Sequence, residues 1–172
     1  IATRDSHSAA VLAPQLGAGR VRHLPDLSLT DGPAPQPGPR DRLLVGDAVR
    51  LSTRRALARA ARRLHADAII PTKTRAGGVW SIPPLRATLG AAYLGTHPFG
   101  LPPLQLPGDE PAYLAALGRA RMHLTGRFHA ICLSLVTGTP FLAVASNSWK
   151  IEALLADAGL PSDRILDEAA LQ

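Results

Sequence analysis

From Leu43 onward the chain alternates short apolar runs with segments whose apolar residues recur at helical spacing, and this alternation constrains the fold more than any other feature. Leu43-Leu44-Val45, Ile69-Ile70, Met122-His123-Leu124-Thr125, Phe141–Ala145 and Arg164-Ile165-Leu166 are too short for helices and read as strands. A strand, a helix and a further strand in succession return the chain in the same direction. The expected fold is therefore α/β, a Rossmann-like parallel sheet flanked by helices. A hydrophobic share of 46% with 19% charged residues can fill such a core, which excludes a disordered chain and a disulfide-stapled miniprotein.

The helices are marked by caps and periodicity. Ser52 and Thr53 read as caps of a helix over Arg54 to His65, with Ala56, Leu57, Ala60, Ala61 and Leu64 inward. The opposite face carries Arg55, Arg59, Arg62 and Arg63 and reads as a solvated surface, with an anionic membrane or nucleic acid as the other reading. Further on, Leu85–Leu94 is expected to be helical and Leu104–Leu106 a short strand. Asp109 caps a helix running to about Arg119 with Leu114 and Leu117 inward. An apolar helix over His129–Val136 stops at Gly138. Ser146-Asn147-Ser148 opens another, with Ile151, Leu154, Leu155 and Ala158 on one face and Gly159 closing it.

Residues 31–39, Asp-Gly-Pro-Ala-Pro-Gln-Pro-Gly-Pro, cannot continue a ladder or a helix. They divide the chain into a short piece (1–30), a linker (31–40) and a longer unit (41–172). The short piece reads as a β-like segment, a helix to about Leu16, and a strand-like Arg20–Leu24 followed by Pro25-Asp26. Arg4 and Asp26 each follow a β-like segment, so both reach one sheet edge if the segments lie side by side; a loop arginine and a turn aspartate fit the same spacing. Ile1 stands where a Met would begin a natural chain, which is expected of a processed, truncated or partly recorded protein.

Charge and composition narrow the function. The net charge of +6 is concentrated in residues 1–86, with fourteen Lys/Arg against six Asp/Glu. An aromatic content of 4% is too thin for a base-stacking surface, so no nucleic-acid role is expected. No apolar run approaches the roughly 20 residues of a membrane span. The single Cys132 suits a reducing cytosol, and six histidines without helical pairing give no metal site. There is no P-loop, no Gly-x-Gly-x-x-Gly, no Gly-x-Ser-x-Gly and no His-Glu-x-x-His.

Ligands of such sheets sit beyond the carboxyl ends of the strands, which singles out two turns. Gly126-Arg127-Phe128-His129 places a cation and an imidazole at a strand end where a helix N-terminus supplies free N–H groups. There Arg127 could grip a carboxylate or phosphate bidentately, and His129 could donate to the same anion or act as general acid/base. The spacing alone fits better a surface arginine beside a packed histidine with a satisfied hydrogen bond. The second turn, Ser146-Asn147-Ser148-Trp149-Lys150, offers hydroxyls explained mostly by capping. It also places Lys150 where it opposes the helix dipole unless an anion repays it.

Taken in order, Arg-Asp-x-x-Ser, Pro-Asp, the linker, Gly-Arg-Phe-His-Ala, Gly-Thr-Pro, Lys150 and an Ala-Gly-Leu helix end resemble the polysaccharide pyruvyl transferase family. The specific part lies in Arg121–Leu160, supported by Arg4–Asp26. The resemblance implies the C-terminal half of a GT-B-like two-domain transferase. Such an enzyme moves pyruvyl from phosphoenolpyruvate, a co-substrate with no further cofactor, onto a sugar of a polysaccharide or lipid-linked glycan to form a ketal. It also implies that Arg4, Arg127, His129 and Lys150 bind phosphoenolpyruvate, that His129 and Asp26 are catalytic, and that Ser146 and Ser148 give support.

About the first half of the family pattern is missing, so the short chain is expected to have little activity or to complete its cleft with another chain, as a homo-oligomer would. A cytoplasmic location, peripheral at the inner membrane face, follows from the resemblance and from Cys132. Two other readings stay open. One is the nucleotide-sugar-binding half of a GT-B glycosyltransferase, and the other a non-enzymatic anion-binding module using the basic helix.

Overall fold

The computed structural model describes residues 1–29, 38–72, 80 and 82–171. Its main body is a five-stranded, all-parallel sheet in the order β4-β3-β5-β6-β7. The strands are β3 (Arg42–Ala48), β4 (Ala68–Ile69), β5 (Ala120–Gly126), β6 (Phe141–Val144) and β7 (Ile165–Leu166). A separate pair, β1 (Ala2–Thr3) and β2 (Arg22–His23), is also parallel and is joined through α1 (Ser6–Leu16). The expected alternation of strands and helices is thus present, and the sheet is Rossmann-like.

The crossovers are α2 (Leu51–Arg63), α3 (Pro83–Leu94), α4 (Glu110–Gly118), α5 (Phe128–Val136) and α6 (Lys150–Asp157). Successive residues of a strand point to opposite faces, and β3 divides its side chains accordingly. Leu43 and Val45 pack with Ala56, Leu57, Ala60 and Ala61 of α2. Leu44 packs with Tyr113, Ala116 and Leu117 of α4. A third cluster joins Ile131 and Cys132 of α5 to Phe141 of β6 and Ile151, Leu154 and Leu155 of α6. With both faces covered, the strands read as continuous apolar runs rather than alternating ones.

The strand order reverses between β3 and β5, since β3 leads to β4 on one side and the chain then crosses to β5 on the other. Such a switch point is where open α/β sheets form a crevice. Close approach there depends on Gly126: a Cβ at this position would lie 2.8 Å from the Ala48 Cβ.

Several local expectations are corrected. Ser52 and Thr53 do not cap α2, which starts at Leu51 after Arg50; both hydroxyls instead donate to Glu168 Oε2, at 3.1 and 2.8 Å. Leu64 and Ala158 are exposed because each lies at a helix end beyond the buried stripe. The strand near Leu104–Leu106 is a single parallel bridge between Ile69 and Leu104. Neither Ser146 nor Ser148 caps α6: the capping position is Trp149, without a side-chain bond. Gly159 does close that helix, with φ +65° just past its end.

On α2, Arg54, Arg55 and Arg62 are not simply solvated. They donate to the carbonyls of Tyr93, Gly95 and His97, where α3 ends and its dipole favours cations. The Asp109 cap accepts from Ala112 N at 2.9 Å, as expected. Residues 30–37, most of the proline-rich linker, lie outside the described residues. Among the described residues no helix is long and apolar enough to cross a membrane.

Candidate functional site

Two strand ends meet at the switch point, and each contributes a charge. Asp47, the penultimate residue of β3, is wholly buried. Arg127 follows β5 and directs Nε and Nη2 to Asp47 Oδ2, at 3.0 and 2.8 Å. Tyr93 of α3 donates its hydroxyl to the same oxygen and accepts from Arg127 Nη2 at 3.1 Å. The other carboxylate oxygen accepts from Thr72 N at 3.1 Å. A buried carboxylate is tolerable only when paired and hydrogen-bonded in this way.

The network sets its own electrostatics. Burial works against the Arg127 charge, but the bond to Asp47 and its charge outweigh it, so the guanidinium stays ionised more firmly than usual. Burial, together with the bond to Asp47, pushes the Tyr93 hydroxyl above the usual phenol range. The expectation that Arg127 turns a free fork toward an anion is therefore revised: its Nε–Nη2 edge faces Asp47. Asp47 and Tyr93 were missed by sequence reasoning. A carboxylate within an otherwise buried apolar strand is the signal that could have found Asp47.

A second cluster adjoins the N-terminus of α5. Pairing of Ala2 with Arg22 and Thr3 with His23 brings the ends of β1 and β2 together, so Arg4 and Asp26 do reach one edge, Nη1 to Oδ2 at 3.5 Å. The Arg4 guanidinium also stacks over the Phe128 ring at 4.7 Å, and His129 lies edge-on to Phe128 with centroids 5.4 Å apart. Asp26 Oδ1 accepts from Ser28 N at 3.0 Å and Ser28 Oγ at 2.7 Å. Burial acts to raise the Asp26 pKa, but the two Ser28 bonds and the charges of His129 and Arg4 prevail and lower it. Asp26 is thus a carboxylate suited to orient a hydroxyl or face a cation more than to take up a proton.

The first turn of α5 begins at Phe128 after Arg127, whose side chain does not cap it. With Arg4 stacked on its first residue, this helix N-terminus is a favourable environment for negative charge. The structure thus brings Arg4, Asp26 and His129 together around Phe128, while Arg127, the residue before Phe128, turns to Asp47 and Tyr93. Ser146 and Ser148 are on the turn between β6 and α6, and Lys150 follows them. Lys150 is exposed at the first position of α6, and Ser146 Oγ donates to Asn147 Oδ1 at 3.2 Å. Among the described residues no hydrogen bond or ion pair links these three to Arg4, Asp26, Arg127 or His129.

Among the described residues no group of three His, Cys, Asp or Glu side chains is placed to hold a metal ion. A family model described as polysaccharide pyruvyl transferase matches residues 1–148. No curated protein and no solved structure matches the chain.

Proposed function

This chain belongs to the polysaccharide pyruvyl transferase family, and from that premise we propose that it binds phosphoenolpyruvate at the N-terminus of α5 and transfers its pyruvyl unit to a sugar diol of a glycan. The observation that carries this reading is the convergence of Arg4, Asp26 and His129, from chain segments more than a hundred residues apart, around Phe128. A donor with a carboxylate and a phosphate needs separate cationic contacts for the two groups. Arg4 and the leading amides of α5 supply them, Arg127 holds the turn from below through Asp47, and Lys150 is a further cation at the neighbouring strand end.

In this reading His129 protonates the methylene carbon of the enol, and the adjacent carbon gains oxocarbenium character. One sugar hydroxyl adds there and phosphate departs with cleavage of its bond to that carbon. A second hydroxyl then closes the ketal. Of the two hydroxyl protons, one restores His129 and the other leaves with phosphate. Asp26, held ionised by Ser28 and Arg4, orients the attacking hydroxyl and stabilises the developing positive charge.

Calorimetry of the chain with phosphoenolpyruvate, a nucleotide sugar and polyphosphate tests the proposal. Phosphoenolpyruvate is expected to bind best, and Arg4→Ala and His129→Ala each to weaken it by roughly tenfold, the loss of a charge-assisted contact. Tighter binding of the nucleotide sugar, or unchanged affinity in both variants, would overturn it.

A further inference from the structure

A cavity of about 260 Å³ lies between α3 and the chain that follows it. Arg86, Gly90 and Leu94 recur at helical spacing along its wall, so one face of α3 forms that side. Ile69 of β4 and a strap running from Pro98 to Leu104 form the rest. The strap is tied at both ends. Before it, His97 O accepts from Arg62 Nη2; at its far end Ile69 N donates to Pro103 O and Gln105 N to Ile69 O, each at 2.9 Å. Prolines at 98, 102 and 103 lock φ along it, so the outer wall of the cavity is set by backbone. A Cβ at Gly90 would lie 2.8 Å from Leu104 Cδ2, and glycine there lets the helix and the strap come together.

The lining selects the ligand. Among the described residues that form it, all are apolar except Arg86, and no Asp or Glu is there to neutralise the guanidinium. Arg86 Nε donates to Trp80 O at 2.7 Å, which fixes the group, while Nη1 and Nη2 have no partner among the described residues. An apolar wall gives water few partners, so such a space stays dry and receptive to apolar matter. Its volume exceeds the roughly 150 Å³ that admits benzene and falls below the roughly 300–1,000 Å³ of drug-sized sites. That size suits a short alkyl chain, and the lone cation suits an anionic group at the end of one. Leu85 and Phe99, next in sequence to the lining residues Arg86 and Pro98, are 44% and 80% exposed. Large apolar side chains left in solvent beside an apolar cavity mark contact with an apolar partner.

We infer that this cavity binds an anionic amphiphile, its alkyl chain between α3 and the strap and its carboxylate or phosphate head on Arg86. The inference is independent of the pyruvyl-transfer reading, since none of Arg4, Asp26, Arg127 and His129 lines the cavity.

The test is an amide NMR titration of the whole chain with butanoate, hexanoate and octanoate, with octyl phosphate and octan-1-ol, and with acetate and inorganic phosphate. Octanoate or octyl phosphate is expected to shift the Gly90, Ala91, Leu101 and Leu104 amides, and acetate and inorganic phosphate to leave them in place. A shift with only one of the two amphiphiles names the head that the site accepts. Each added methylene should tighten binding by roughly three- to fourfold, as for one buried CH₂. Octan-1-ol keeps the chain without the charge and should bind roughly tenfold more weakly, the loss of a charge-assisted contact. Two variants, each confirmed as folded by its own spectrum, separate head from chain. Arg86→Gln should remove the preference for the charged head, and Ala87→Leu, which fills the cavity from its wall, should abolish the shifts. The inference is overturned if neither amphiphile shifts these amides, if affinity does not grow with chain length, if octan-1-ol binds as tightly as octanoate and octyl phosphate, or if the folded variants bind normally.

Discussion

Arg127 and Asp47, eighty residues apart, meet at 2.8 Å where β3 and β5 end, and the carboxylate is entirely withdrawn from solvent. The ion pair ties the turn that carries His129 to the floor of the sheet's switch point. It is a device for positioning that turn as much as a source of positive charge.

Removing one partner of a buried pair leaves the other charge uncompensated. Arg127→Met is therefore expected to destabilise the protein by about 3–5 kcal/mol, seen as a lower urea midpoint at neutral pH. Adding Asp47→Asn should restore part of the loss. Equal midpoints for Arg127→Met and the unaltered protein would mean that Asp47 does not depend on this partner.

Both tyrosines of the chain resist ionisation, Tyr93 through burial and its bond to Asp47, and Tyr113 chiefly through burial. In the unfolded chain they ionise near pH 10. The folded form keeps protons that the unfolded form gives up, so the tyrosines' contribution to stability is constant below that pH and falls as pH rises through it. Ultraviolet titration should find less phenolate in the native protein at pH 10 than in the unfolded chain. Equal phenolate in the folded and unfolded forms would contradict the buried network.

Asp26 behaves in the opposite sense. Its lowered pKa contributes stability that is present above the ordinary value of 3.8 and is lost as pH falls through the folded value. Ser28→Ala removes the hydroxyl bond and should move the Asp26 titration back toward 3.8, read from its carboxyl carbon by NMR. An unmoved titration would assign the shift to the Ser28 N–H, His129 and Arg4 instead.

His123 is fully buried on β5 with Nδ1 at 2.9 Å from Ser134 Oγ. Since Ser134 donates to Ala130 O at 2.8 Å, its oxygen accepts from the imidazole, which places the proton on Nδ1 and leaves Nε2 bare. Burial lowers the pKa to about 4. The unfolded imidazole takes up its proton near pH 6.5, so stability should decline as pH falls from there toward 4. Unfolding midpoints between these values should show that slope, and His123→Gln should flatten it.

The elements most legible in the sequence are those encoded within about ten residues. The apolar runs of β3 and β6, the Asp109 cap of α4 and the Gly159 stop of α6 each depend on local chemistry and appear where expected. Arg4 beside Asp26 was also within reach, because a short parallel β-α-β unit brings the ends of its two strands to one edge. Local reasoning failed at Ser52 and Thr53, which looked like caps but bond Glu168 from the far end of the chain.

By itself the sequence determined a parallel α/β sheet and its principal helices, since periodicity and caps act through neighbouring residues, and it left the nearness of Arg4 to Asp26 as one of two readings. Tertiary structure alone decided that Arg127 faces Asp47 and Tyr93, and that Tyr113 and Thr72 share a cleft wall with His129. These relationships join segments tens of residues apart. They exist only once the sheet has set its strand order, and no local pattern records which buried carboxylate a distant guanidinium will meet.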